Sequence, residues 1–238
     1  MDLWHESTGD GPAVVFLHAG IADSRMWNPT LPGRRVVRYD LRGYGRSPAP
    51  DRPFAHHRDL RDLMDALSIA RATLVGASMG GAAAIHFALE WPERVDALVL
   101  VGSAVDGYEF RDGPSLARWK AVEAASGAER ARLEADLWVP GADPGAAAYV
   151  REAILARHCD ESLEETQPAI GRLAEIRART LVMVGDRDLP DVRAVADLLA
   201  SRIADSKKIV IRGAAHLPSL ERPIEFGIAL AVFLTSSA

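Results

Sequence analysis

Cysteine is almost absent: Cys159 stands alone in 238 residues. No intramolecular disulfide can form, which points to a reducing, cytoplasmic setting. The lone thiol sits in a polar, helix-like stretch with His158 as its only basic neighbour, and adjacent helical residues point apart. It reads as a bystander, not a nucleophile. Lysine is scarce, at 120, 207 and 208 only, so the positive charge is nearly all arginine. A net charge of −5 gives no electrostatic basis for a nucleic-acid or anionic-membrane partner. Long apolar runs are missing too. "MDLWHESTGDG" lacks the basic start and apolar core of an export signal, and "AVVFLH" is too short to span a bilayer. Spaced metal ligands are also lacking; His56-His57 precedes a helix and reads as a solvated or capping pair, with no metal.

What is present is an alternation. The chain has room for one sizeable α/β domain and not for two. The runs 13–18, 34–39, 72–77, 97–102, 180–185 and 208–213 are valine-rich, nearly continuous and punctuated by glycine. Strands buried on both faces of a parallel sheet read this way. Helix-like spacing fills 58–69, 79–91, 192–203 and 222–234. The pattern predicts a doubly wound, mostly parallel α/β sheet with right-handed crossovers. Residues 105–176 break the rhythm: no strand-like run, but helical pieces at 115–126, 128–138, 145–158 and 168–177. Such a length is too great for a loop. It reads as a helical lid, 105–176, inserted in a core made of 1–104 and 177–238.

One stretch carries chemistry: "VGASMGG", after a strand-like run and before an alanine-rich helix. A phosphate-binding loop would need a lysine followed by Ser or Thr, and a dinucleotide turn would need another glycine spacing in the first βαβ unit. Neither is here. The alternative is G-x-S-x-G at Gly76–Gly80, a nucleophile elbow that presents Ser78 at the carboxyl end of the sheet. The helix that follows points its positive end at the same spot. An elbow requires an acid and then a histidine, in that order. His216 is the one histidine that follows both Ser78 and a strand-like run, in "IVIRGAAHLPSLERP", and is the base expected. For the acid, "LVMVGDRDLPD" offers Asp188 first, Asp186 second as a turn residue, and also Asp191; Asp106 is a further position from which an acid can be supplied. The loop in "VVFLHAGIADSRMWNP" supplies an oxyanion donor from Gly20, with Ala19 or Ile21 as register alternatives, beside the N–H of Met79. His18 is expected to hold that loop and Asp40 to brace the next one.

Together "HAGIADSRMW" (18–27), "YDLRGYGRSPAP" (39–50), residues 74–101, "LVMVGDRDLPD" and "GAAHLPSLERP" resemble the α/β-hydrolase superfamily. The likeness is to the small single-domain branch of enol-lactonases, carboxylesterases, carbon–carbon bond hydrolases and perhydrolases. The resemblance implies Ser78 as nucleophile, Asp188 as acid, His216 as base, Gly20 and Met79 as the oxyanion hole, and no cofactor. It implies a small-molecule ester or lactone as substrate, cleaved through an acyl-enzyme. The alternatives are a carbon–carbon bond hydrolase or a perhydrolase with the same triad, or a ligand-binding protein with little turnover. The motif His-Ala-Gly stands where His-Gly-Gly is usual, a tolerable change. The chain starts at what resembles the second strand of the fold, which implies that the first edge strand is missing. Trp27 and Met79 are expected to border the pocket, with Trp119 and Trp138 as substrate contacts from the lid. Were the substrate a carboxylate, Arg111, Arg118 or Arg157 would be the candidates to bind it. Oligomeric state has no signature in the sequence.

Overall fold

The apolar runs become the strands of one seven-stranded sheet in a computed structural model that describes residues 2–235. In chain order they are β1 (His5–Thr8), β2 (Ala13–Leu17), β3 (Arg35–Tyr39), β4 (Ala72–Ala77), β5 (Val95–Val101), β6 (Arg179–Gly185) and β7 (Ser206–Ile211). The order across the sheet is β1-β3-β2-β4-β5-β6-β7. β1 pairs antiparallel with β3 and every other pairing is parallel. β1, "HEST", is exposed along its length, so periodicity did not reveal it. β7 departs from expectation as well: it is the far edge strand and most of it is exposed, not buried on both faces.

Successive residues of the central strands enter opposite cores, as the two-residue repeat of a strand requires. Leu74, Leu98 and Val182 lie in one apolar cluster and their neighbours Val75, Val99 and Met183 in the other. The first cluster is closed by α1 (His56–Ala66), α2 (Met79–Glu90) and α6 (Pro190–Arg202), and the second by the carboxyl-terminal α8 (Pro223–Thr235), which follows the short α7 (Pro218–Glu221).

Between β5 and β6 lie three helices, α3 (Gly113–Ala124), α4 (Gly127–Trp138) and α5 (Pro144–Ala156). Proline occupies the first turn of α3 and α5, and Asp112 and Asp143 cap them through their side chains, an arrangement that satisfies otherwise orphaned N–H groups. The helix expected at 168–177 is not formed beyond a single turn, Leu173–Glu175. The N–H groups of Ala169 and Ile170 donate to the carbonyl of Asp106 instead of to a helical ladder. No described helix is long and apolar enough to cross a membrane.

Candidate active site

β4 ends at Ala77 and α2 begins at Met79, leaving Ser78 alone to make the turn, with φ +49° and ψ −116°. A side-chain-bearing residue is strained there. Flanking hydrogen bonds hold it: the Ser78 N–H donates to Val101 O (3.0 Å), and its carbonyl accepts from Gly81 (2.9 Å), Ala82 (3.1 Å) and Ala104 (3.1 Å). The glycines are explained by contact. A Cβ on Gly76 would lie 2.4 Å from the carbonyl oxygen of Gly80, and one on Gly80 would lie 2.5 Å from that of Leu17. Strand, turn and helix can close this tightly only without side chains at those two positions.

His216 lies in the loop after β7. Its N–H donates to the carbonyl of Trp138 (3.2 Å), and the two rings lie 4.4 Å apart. Its Nδ1 is 3.0 Å and 3.1 Å from the two carboxylate oxygens of Asp188, in the loop after β6, and both residues are buried. A carboxylate only accepts, so Nδ1 carries a proton, and in the neutral tautomer this selects the lone pair lies on Nε2. Glu221, which no sequence motif singles out, braces this loop: it accepts from the N–H groups of Ala215 (3.0 Å) and Leu217 (2.9 Å), one on each side of His216. Burial raises its carboxyl above the ordinary range. Gly102, at φ +50°, passes so close that a Cβ would lie 3.2 Å from Asp188 Oδ2 and 3.3 Å from His216 Nδ1.

The loop after β2 lies against the first turn of α2. His18 is fully buried; its Nε2 accepts from the Leu41 N–H (2.8 Å), so its Nδ1–H donates to Ala19 O (2.9 Å). Burial lowers its basicity, which agrees with the neutral ring this pattern needs. Asp40 accepts from Ser24 and Arg46 N–H groups (both 2.9 Å), the bracing expected of it. The Ala19 N–H is engaged with Met26 Sδ (3.4 Å). Gly20 lies against Met79, where a Cβ would be 3.6 Å from the methionine sulfur.

Ser78, Met79, His216 and Trp138 all line one cavity of about 380 Å³. Its lining also includes a polar group: His56, His57, His86, Asp106 and Glu164. His86 Nε2 is 2.6 Å from Asp106 Oδ2; His57 lies 3.1 Å from Glu90 and stacks on His86 at 5.2 Å. Both ring nitrogens of His56 are buried without a hydrogen-bond partner. His56 and His57 are therefore buried, not solvated, and Ala55 is the cap residue of α1. Segment 161–166, between α5 and β6, brings Glu164 toward them, with His56 Nε2 3.9 Å from Glu164 Oε1. Among the described residues, no three His, Cys, Asp or Glu side chains are grouped so as to hold a metal ion.

A family model described as the alpha/beta hydrolase family matches residues 14–227, which includes every residue of this site. The chain belongs to the alpha/beta hydrolase family. Among curated relatives of this chain, a 2-hydroxy-6-oxo-6-phenylhexa-2,4-dienoate hydrolase from Comamonas testosteroni is 38% identical over 112 residues. That match spans 42% of the present chain and only 39% of the relative's length. A 2-hydroxy-6-oxononadienedioate/2-hydroxy-6-oxononatrienedioate hydrolase of Escherichia coli (strain K12) is 31% identical over 248 residues, 93% of this chain and 86% of that one. The solved structure of the enol-lactonase from Burkholderia xenovorans LB400 superposes with a TM-score of 0.85 at 25% identity, covering 98% and 96% of the two chains.

Within this chain the other residues named from sequence divide. Asp186 accepts from the Gly213 N–H (2.7 Å), a turn role, and Asp106 is paired with His86, away from His216. Asp191 accepts from the N–H groups of Arg111 and Asp112 and ties the start of α3 to α6. Trp27 does not border the cavity. It is turned into the second core, where Phe16 of β2 (ring centroids 5.2 Å apart) and Phe226 of α8 (5.8 Å) pack against its ring. Trp119 stands behind Trp138, 6.1 Å ring to ring, in a separate apolar pocket. Arg111, Arg118 and Arg157 are not among the cavity-lining residues; Arg157 pairs with buried Glu134 (3.2 Å) and Arg118 donates to Asp136 O. Burial and the nearby Glu161 and Glu164 push the Cys159 thiol up to about 12, consistent with an inert side chain.

Proposed function

We propose that this protein is a serine hydrolase that cleaves a small ester or lactone through an acyl-enzyme. The observation that carries the reading is the pairing of His216 Nδ1 with both oxygens of buried Asp188, with His216 lining the cavity that strained Ser78 also lines. In this reading His216 Nε2 takes the Ser78 hydroxyl proton as Oγ attacks the substrate carbonyl. The tetrahedral oxyanion is held by the backbone N–H groups of Gly20 and Met79. His216 then gives the proton to the leaving alkoxide, and the carbon–oxygen bond breaks. Water, deprotonated by the same nitrogen, attacks the acyl-serine; the acid leaves and Ser78 recovers its proton. Asp188 holds the imidazole in the working tautomer and stabilises the imidazolium. Residues 105–176 act as a lid, contributing Trp138 to the reacting side of the cavity. The single cysteine supports a cytoplasmic setting.

The curated relatives favour a second reading, a carbon–carbon bond hydrolase working with the same three residues. One experiment separates the two. Hydrolysis of p-nitrophenyl esters from acetate to octanoate is measured beside cleavage of a 2-hydroxy-6-oxo-dienoate, each with wild type and Ser78→Ala. Short-chain ester turnover that disappears in the variant supports the esterase. Cleavage confined to the dienoate supports the second reading, and equal rates in both proteins would overturn the serine mechanism.

A further inference from the structure

We propose that His56 and Glu164 form a specificity subsite that receives a neutral hydroxyl carried on the non-reacting end of the substrate. The inference rests on the reading of Ser78 as nucleophile and deepens it by naming a substrate class.

The wall that faces the cavity has one unfinished element. Buried polar groups almost always find hydrogen-bond partners, and His86 and His57 have theirs in Asp106 and Glu90. His56 has none on either nitrogen, although its side chain is only 1% exposed and lines the cavity that holds Ser78. Its Nε2 stands 3.9 Å from Glu164 Oε1, too far for a hydrogen bond between them. One oxygen atom set about 2.8 Å from each of the two would bridge them. A hydroxyl fits there chemically: the imidazole N–H donates to the hydroxyl oxygen while the hydroxyl donates to the carboxylate.

The charge of the wall sets the rest of the choice. Among the described residues, no lysine or arginine lines the cavity, whereas Asp106 and Glu164 do. Burial pushes His56 down to about 3, so it meets a ligand as a neutral ring. A carboxylate on the substrate would thus find two acids and no cation. Burial beside Asp106 and Glu161 pushes Glu164 up to about 7, so it offers no lasting full charge to a strongly hydrated ammonium. A methyl group would leave the polar atoms of both residues unpaired.

The test compares end groups at constant length. On the acid side the probes are the ethyl esters of 6-hydroxyhexanoate, heptanoate and 6-aminohexanoate, with monoethyl pimelate; on the alcohol side they are 6-hydroxyhexyl acetate and heptyl acetate. The hydroxyl probe should exceed its methyl counterpart in kcat/KM by about tenfold or more in at least one series. His56→Phe should bring that ratio to about one. His56→Gln, which keeps a donor and an acceptor, should restore part of it, and circular dichroism checks that both variants fold. A preference for methyl, carboxylate or ammonium, or a ratio unchanged in His56→Phe, overturns the proposal; so does no preference at all, the result if the gap only holds water. Should wild type turn over no ester, the serine-hydrolase reading fails separately. The subsite is then read without turnover, by titrating Ser78→Ala with 6-hydroxyhexanamide and with heptanamide. A shift of the His56 ring signals by NMR with the first and not the second supports it; equal or absent shifts overturn it.

Discussion

Ser78 holds a backbone conformation that glycine adopts freely and serine does not. Such strain costs about 1–3 kcal/mol, and glycine gives back about 0.5–1 kcal/mol through the greater freedom of the unfolded chain. Ser78→Gly is therefore expected to abolish ester turnover and yet gain about 1 kcal/mol of stability, roughly 2–4 °C in Tm for a chain of this size. Calorimetry on the two proteins checks the sign; a variant less stable than wild type would mean the turn is not strained. In the proposed mechanism Asp188 contributes in another way, through the ring of His216. Asp188→Asn keeps the volume but offers an N–H where the ring nitrogen also presents one, so the imidazole loses its working tautomer. The expected outcome is a kcat lower by about 10⁴-fold with KM little changed, read from steady-state kinetics on a p-nitrophenyl ester.

Among the elements, α2 is the one that sequence and function both constrain most closely. Its first turn meets the end of β2, where a Cβ on Gly80 would lie 2.5 Å from Leu17 O and 2.6 Å from His18 O. Both contacts are backbone, so nothing yields cheaply. Gly80→Ala should cost about 1–3 kcal/mol and lower kcat by prising the Gly20 loop away from Met79; thermal unfolding and ester kinetics report the two effects. Constraints of this local kind are legible in a sequence, which is why the spacing of Gly76, Ser78 and Gly80 is enough to mark the elbow. The central strands are legible for a related reason: β2, β4, β5 and β6 are covered on both faces and cannot hide their apolar runs. What escapes is set by long-range packing. β1 is polar because it lies on an exposed edge. The spacing of 168–177 imitates a helix, but Asp106 takes two of its N–H groups. His56 and His57 look like ordinary residues at a helix start until Glu164, more than a hundred residues on, arrives opposite them.

For the molecule as a whole, that same pair makes stability depend on pH in two opposed ways. His56 is pushed from its ordinary 6.5 down to about 3 by burial, with the positive charges of His18, Arg42 and His57 adding to it. Between those values the unfolded chain binds a proton that the folded one refuses, so stability falls as pH drops below 6.5, by at most about 1.4 kcal/mol per unit. Glu164 works the other way. Burial, with Asp106 and Glu161, raises it from 4.5 to about 7 while His86 opposes the shift. The folded state then holds a proton that the unfolded chain has released, and acidification from 7 towards 4.5 stabilises it. From pH 6.5 to 4.5 the two contributions offset one another in the wild type, and removing one partner exposes the other. Glu164→Gln should show a Tm that falls more steeply than wild type on going from pH 6.5 to 4.5. His56→Gln should show one that falls less steeply, or rises. Calorimetric scans at half-unit intervals decide it: slopes that diverge in opposite directions confirm the opposed pair, whereas three parallel curves would mean that neither group is titrating in the buried wall.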